Sequence, residues 1–531
     1  MNDRKSEIFG DMSAIRLKGV EKFQSEYYWP ISEEKYHRFV SSLHEDYSEI
    51  VSNIKDDCVF DMATVELSFV RQLQNICQYN FLKNYTDKNS YDLLVGKDSE
   101  KLFSPNWGEI KNFYKYKHTL KKGVFSFFRN TVKNIIFNIN PYKYLTPNKI
   151  YSKKTPISIG SNDRLKKEFV DKNSLFVNHK NWFNLIDKNK TENKYKKELI
   201  CNEVKKIVIE PFLRKMKKQD LYFIEGLDFK LIENVWIERF RDIECLYNKI
   251  FSVDKVDLLL VTEVANPFHK LLTVAYQRQG TSVYCFHHGN DSAIIRHEIG
   301  HSITTSHCNK FVVPTDGIAD IYRDNYNNLA IEKRYKTEYL SIDSTWYQDI
   351  IDESKRSSQP PYLKKIMLIG FPHNSLRYTN ESASFFYPKL DLEIKICKLL
   401  KRHGYDVIYK THPDRFTEVS GIFDGIVKEV VKDRFEEVWS IADALLFTHT
   451  STTTFGYAVN LNRKIILFDY GEYIKGNDAL KDAFYKRVCS IPAKVGYNAR
   501  VIFNEQDVLS CLSPNYNPID FSYPEKVFGK S

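Results

Sequence analysis

Several features that would fix the class of this chain at once are missing. Its nine cysteines (Cys58, Cys77, Cys201, Cys245, Cys285, Cys308, Cys397, Cys489 and Cys511) are scattered, and none forms a Cys-x-x-Cys pair. That argues against a cysteine zinc site and reads as reduced thiols without a disulfide framework, so a cytoplasmic setting is expected. No window approaches the roughly 18 uninterrupted apolar residues of a membrane span. The polar start, Met1 to Asp11, does not read as a signal peptide. There is no internal repeat, no long low-complexity tract and no glycine-rich phosphate loop.

What is present is the composition of a large globular protein. Of 531 residues, 42% are hydrophobic and 27% charged, and aromatics reach 14%. Such a length allows two to four domains at roughly 150 residues each. The net charge of +10 is unevenly placed. Residues 101–200 hold 20 Lys and 2 Arg against 7 Asp and Glu, a net +15, so the remainder sums to about −5. A basic region of this kind either attracts an anionic surface or forms a solvated insertion.

The first ~60 residues read as polar helices. "YDLLVG" (Tyr91–Gly96) and "PISIG" (Pro156–Gly160) read as short buried strands that close on glycine. Long helical patterns follow at about Lys194–Lys218 and Phe229–Phe251. The rhythm then changes to strand–helix alternation. "VDLLLVTE" (Val256–Glu263), "SVYCF" (Ser282–Phe286) and "KFVVPT" (Lys310–Thr315) are strands, with a helix over Pro267–Gln279. Continuous apolar runs mark strands covered on both faces, as in parallel sheets. After Pro360-Pro361 a second series begins: "KKIMLIGF", "YDVIYKTHP", "GIVKEVV", "DALLFTHT" and "KIILFDY". Its first helix carries Leu390, Ile394, Cys397 and Leu400 on one face and ends near Gly404. The expected fold class is α/β: two tandem Rossmann-like doubly wound domains with helical N-terminal additions. The boundaries expected are 1–345 and 346–531.

Ligands of open parallel sheets gather beyond the carboxyl ends of the strands, so the residues there are the candidates. In the second series these are Gly370, then Lys410 and His412 of "KTHPD", then Ser451, Thr452 and Thr453 where a helix begins. Lysine, histidine, hydroxyls and free N–H groups at a helix start suit a phosphate; plain N-capping is the alternative use of the hydroxyls. In the first series the strand ends deliver Glu263, His288 and Asp291 as candidate acid/base groups.

One string points elsewhere. "RHEIGHSITTSH" contains His297-Glu298-x-x-His301 and a third histidine, His307, the histidine spacing of a metzincin zinc peptidase. The turning position, however, holds Thr304 and not glycine. No Met-turn follows, because the only later methionine is Met367, inside a strand. Ile295, Ile299 and Ile303 recur every four residues, so the string reads better as a crossover helix. His297, Glu298 and His301 then lie off its sheet-facing side, at the start of a helix that can border a cleft between the two domains. A basic amphipathic stretch, Lys121–Ile139, places Phe125, Phe128, Val132, Ile135 and Ile139 on one face. It fits either an anionic bilayer surface or the core of the first domain.

Two alternating α/β series, a His-Gly after a strand of the first, a His-Pro in the second and a Ser/Thr run before "FGYAVNLNRKIILFD" resemble GT-B-type glycosyltransferases of bacterial surface polysaccharides. The transferases that use CMP-activated Kdo or sialic acid, of capsule and lipopolysaccharide, are most similar by motif. The resemblance runs from about residue 255 to 475. It implies a CMP-activated donor held by His412, Ser451, Thr452 and Lys410, and a glycan or glycolipid acceptor. It also implies that Glu298 or Arg296 touches donor or acceptor. The acidic Asp/Glu-Gly motif of sialyltransferases has only "EGLD" (Glu225–Asp228) as a counterpart, which leaves the catalytic carboxylate open among Glu263, Asp291 and Glu298. CDP-glycerol glycerophosphotransferases are also similar, and there the His-Gly histidine, His288 here, is implicated in catalysis. The expected function is therefore a metal-independent glycosyltransferase with no cofactor and no nucleic-acid partner, cytoplasmic or peripheral at the inner membrane face. A CDP-alditol phosphotransferase, a zinc peptidase and a non-catalytic sugar-nucleotide-binding protein are the alternatives.

Overall fold

The computed structural model describes residues 6–95, 155–160, 164–179, 199–251, 255–262, 267–287, 301–302, 307–360, 362–370, 386–450, 452–470, 478–496, 499–513 and 519–529. The amphipathic stretch Lys121–Ile139 lies outside them.

The chain opens with a strand, β1 (Glu7–Phe9), paired in parallel with β2 (Asp92–Leu94). Between them run α1 (Met12–Lys18), α2 (Val20–Ser25), α3 (Glu33–Ser52), α4 (Asp57–Val65) and α5 (Leu67–Asn89). Asp11, Ser32 and Asp56 each accept a backbone N–H at a helix start, as N-cap residues do. In α3 the buried Tyr36, Phe39, Val40, Leu43, Tyr47 and Ile50 fall at helical spacing, so the helix is polar outside and apolar inside. The polar pattern read from this region is that outer face.

The first large sheet is parallel throughout, in the order β4-β3-β5-β6-β7-β8. Its strands are β3 (Ile157–Ile159), β4 (Asn178–His179), β5 (Leu258–Thr262), β6 (Ser282–Phe286), β7 (Lys310–Val313) and β8 (Glu338–Ser341). Its helices include α6 (Arg164–Lys172), α7 (Phe229–Phe251), α8 (Pro267–Arg278), α9 (Asp316–Tyr326) and α10 (Ala330–Tyr335). Side chains alternate between faces along a strand, and both faces are covered here. Leu258, Leu260, Phe286 and Val312 pack with Leu165, Phe169 and Val170 of α6. Leu259, Val261, Val283 and Phe311 join the main core with Leu271 and Ala275 of α8. This two-sided burial is why "VDLLLV" reads as an unbroken apolar run. The helical pattern at 194–218 is Leu199–Val204 and Glu210–Met216 joined by one π-helical turn, Lys205–Ile209.

After α11 (Trp346–Arg356) comes the second large sheet, in the order β11-β10-β9-β12-β13-β14-β15. Its strands are β9 (Lys365–Ile369), β10 (Asp406–Lys410), β11 (Glu429–Val431), β12 (Ala444–Phe447), β13 (Lys464–Asp469), β14 (Cys489–Val495) and β15 (Val501–Phe503), the last one antiparallel. Its helices include α12 (Phe386–Arg402), α13 (Thr453–Ala458), α14 (Asp478–Arg487), α15 (Glu505–Cys511) and the terminal α16 (Ser522–Phe528). Leu390, Ile394, Cys397 and Leu400 of α12 are all fully buried, as their spacing predicts.

One expectation is corrected here. Cys489 on β14 and Cys511 at the end of α15 are disulfide-bonded, with Cα atoms 6.0 Å apart. Their 22-residue separation carries no motif, and only the packing of α15 on β14 brings them together. Cys58, Cys77, Cys245, Cys285, Cys308 and Cys397 are free thiols. Among the described residues no helix is long and apolar enough to cross a membrane.

Candidate functional site

In the second sheet β10, β9 and β12 are neighbours, and the winding reverses between β9 and β12. Such a reversal opens a crevice at the carboxyl ends of the strands. Three strand ends converge on it. Gly370 follows β9, and its N–H donates to the carbonyl of Lys410 at 2.9 Å. Lys410, the last residue of β10, is buried and its ammonium donates to the Thr411 carbonyl. Burial pushes the Lys410 pKa below the ordinary lysine value, against the pull of Glu436 and Asp433. The next residue but one, His412, is exposed. After β12 come Thr448, His449 and Thr450, all buried, with Thr448 Oγ1 3.4 Å from His449 Nδ1.

The hydroxyl run then starts α13. Thr452 is the N-cap residue, and its Oγ1 accepts the Phe455 N–H at 3.0 Å. Its own N–H donates to the Thr450 carbonyl at 2.7 Å. One lone pair of Thr452 therefore serves the helix, while Thr453 is exposed beside it. Ser451 lies outside the described residues. Gly370 has a packing reason of its own: a Cβ there would sit 2.2 Å from the hydroxyl of buried Tyr409.

In the first sheet the crevice lies between β3 and β5, where the order again reverses. Gly160, at φ +88°, closes β3 against Thr262, the last residue of β5. Glu263, His288, Asp291 and Glu298 all lie outside the described residues, as do Arg296, His297 and Thr304. Their neighbours are described. His287 is buried, and its Nε2 lies 2.8 Å from the Tyr322 hydroxyl. His301 is buried too, which corrects its expected position off the packed side. Its Nε2 lies 2.8 Å from Glu332 Oε1, and its ring stacks on Tyr326 at 3.9 Å. The aromatic residues of α9 and β8 supply an enclosed pocket for an imidazole that periodicity alone assigned to the surface. His307 is fully buried and itself adopts the left-handed conformation, φ +80°. Its carbonyl accepts a hydrogen bond from Gln277 Nε2 at 2.7 Å. Among the described residues no cluster of three His, Cys, Asp or Glu side chains is disposed to hold a metal.

"EGLD" has a local structural role. Gly226 takes φ +79°, Glu225 pairs with Lys88 at 2.7 Å, and Asp228 accepts the Leu231 N–H at 2.9 Å at the start of α7. The pattern of "DALLFTHT" predicts a strand that runs through Thr448, His449 and Thr450 and so hides them as site residues. The strand ends at Phe447, and the histidine flanked by hydroxyls was the available signal.

No protein-family model matches this chain. No curated protein is similar to it at a significant level.

Proposed function

We propose that this chain is a glycosyltransferase that takes a keto-sugar acid of the Kdo or sialic type from a CMP-activated donor and adds it to a bacterial surface glycan. In this reading it has a GT-B plan: residues 1–345 hold the acceptor and the acid/base groups, and residues 346–531 hold the donor. The observation that carries the reading is the edge of the second sheet. Lys410 ends β10 and His412 follows it, Thr448, His449, Thr450 and Thr452 follow β12, and the two strands flank β9 where the winding reverses; β11-β10-β9-β12-β13-β14 has the strand order of a dinucleotide-type Rossmann sheet. Lys410 and His412 would stabilise the charge that develops on the departing CMP phosphate, and Thr452 and Thr453 would add hydroxyl donors. Departure of the phosphate leaves an electrophilic anomeric carbon, and a base at the first sheet, from His288, Asp291, Glu298 or Glu263, takes the proton of the incoming hydroxyl. Work at the inner membrane face fits a lipid-linked acceptor.

Calorimetry against CMP, CDP, UDP and GDP tests this directly. CMP should bind, and His412→Ala should weaken it by about tenfold or more, the worth of a charge-assisted hydrogen bond. Stronger binding of CDP would favour a CDP-alditol phosphotransferase. A chain that binds none of the four is not a nucleotide-sugar transferase.

A further inference from the structure

A groove of about 340 Å³ runs along α6 and faces the loop that leads from β8 into α11. Trp346, the first residue of α11, forms part of its wall. Arg164 Cζ lies 4.3 Å from the centroid of the Trp346 ring. The same ring lies 5.5 Å from that of Tyr457 on α13, the helix that Thr452 caps. The groove therefore belongs to the first sheet and ends beside the candidate donor edge of the second.

Three bases and two acids line it: Arg164, Lys167 and Lys172, with Glu168 and with Asp171 one helical turn beyond Lys167. At the far end Lys172 is used up: it pairs with Glu168 at 3.1 Å and donates to the Ile342 carbonyl at 2.8 Å. Glu168 also accepts the Ser344 hydroxyl at 2.7 Å. At the near end Arg164 and Lys167, one helical turn apart, are exposed, and neither is ion-paired among the described residues. A guanidinium stacked on an indole keeps its planar fork of N–H donors turned outward and is held at low entropic cost. That fork fits an oxyanion in two-pronged fashion, and Lys167 adds a second positive charge on the same face. An indole wall beside such a fork suits the C–H face of a sugar.

We propose that this groove is a saccharide subsite selective for acidic sugars, with Arg164 and Lys167 binding a carboxylate or phosphate on the chain. Its use for the acceptor rests on the transferase reading; its preference for an acidic sugar does not. The test is calorimetry of the full chain with three probes: the α2,8-linked trimer of N-acetylneuraminic acid, mannose 6-phosphate and neutral maltotriose. At least one acidic probe should bind and maltotriose should not, and the acidic probe that binds identifies the oxyanion. Arg164→Ala/Lys167→Ala should weaken that binding about tenfold or more. Lys206→Ala/Lys218→Ala, which removes the same charge from exposed sites elsewhere, should leave it unchanged. CMP binding should be equal in all variants. The proposal fails if neither acidic probe binds, if maltotriose binds as well, or if the two double variants behave alike. Acidic-sugar binding without CMP binding would uphold the groove and reject the transferase.

Discussion

Lys270 and Gly370 show how much a single position carries in this protein. Lys270 on α8 is fully buried, and its ammonium donates to the Ser302 carbonyl at 2.9 Å. Burial, with Arg71 adding to it and Glu332 and Cys285 opposing, brings its pKa from 10.5 down to about 7. Between those values the unfolded chain binds more protons than the folded one, so stability rises with pH from about 7 to 10.5 and is lost as pH falls back. Urea midpoints should be higher at pH 9 than at pH 7, and Lys270→Met should flatten that slope. An unchanged slope in the variant would assign the pH dependence to other groups. At Gly370 a methyl group has nowhere to go, because the Tyr409 ring is fixed by its hydrogen bond to Glu393 at 2.7 Å. Gly370→Ala should cost about 1–3 kcal/mol in urea unfolding, the usual cost of overpacking a core. A loss of nucleotide binding at full stability would instead make Gly370 a ligand contact.

At the scale of elements, the N-terminal helices are fastened to the first sheet's helices by buried carboxylates. Asp61 of α4 accepts two hydrogen bonds from Arg278 of α8 at 2.9 Å, one from Tyr247 of α7 at 2.9 Å and one from Tyr335 of α10 at 2.7 Å. Glu66 and Arg239 form a second pair, both side chains fully inaccessible, with bonds of 2.9 and 2.8 Å. Removing Asp61 strands the buried Tyr247 and Tyr335 hydroxyls, while Arg278, a quarter exposed, keeps Asp57 at 2.7 Å, so Asp61→Ala should destabilise by about 2–3 kcal/mol. Asp61→Asn, which keeps two polar atoms, should recover part of the loss; equal losses in the two variants would argue that charge, not hydrogen bonding, is what matters. None of this was legible beforehand. Asp61 and Glu66 sit among ordinary helix residues, and their partners are more than 170 positions away. The strands were legible, because two-sided burial leaves an apolar run that survives in any one-dimensional reading. β1, β4, β8, β14 and β15 were not, since they are short or lie towards a sheet edge, where that pressure is absent.

Across the whole molecule, each terminus packs on the far sheet's elements. Near the start of the chain, Phe23 and Trp29 pack on Tyr387 of α12 at 4.7 and 5.0 Å, and Arg500 donates to the Gln24 carbonyl. At the other end α16 returns to α9, where Thr315 Oγ1 donates to the Val527 carbonyl at 2.6 Å. Gly317 makes that approach possible, since a Cβ would lie 2.3 Å from the Lys526 carbonyl oxygen. Gly317→Ala should therefore loosen the C-terminal helix and hasten its removal by limited proteolysis, while a tail as resistant as the wild type's would show that α9 and α16 can shift apart without cost.

From the sequence alone come the α/β class and the strand–helix alternation, because hydrophobic periodicity and turn residues act locally. It also placed Lys410 at the end of a strand and Gly370, His412, Thr452 and Thr453 beyond strands of the same series. Strand order could not be read there, since order depends on which crossovers pack side by side. It takes the folded chain to make β10, β9 and β12 neighbours, to enclose His301 between Tyr326 and Glu332, and to lay Arg164 over Trp346. Those are contacts between residues far apart in the chain, fixed by burial of apolar faces that no local pattern specifies.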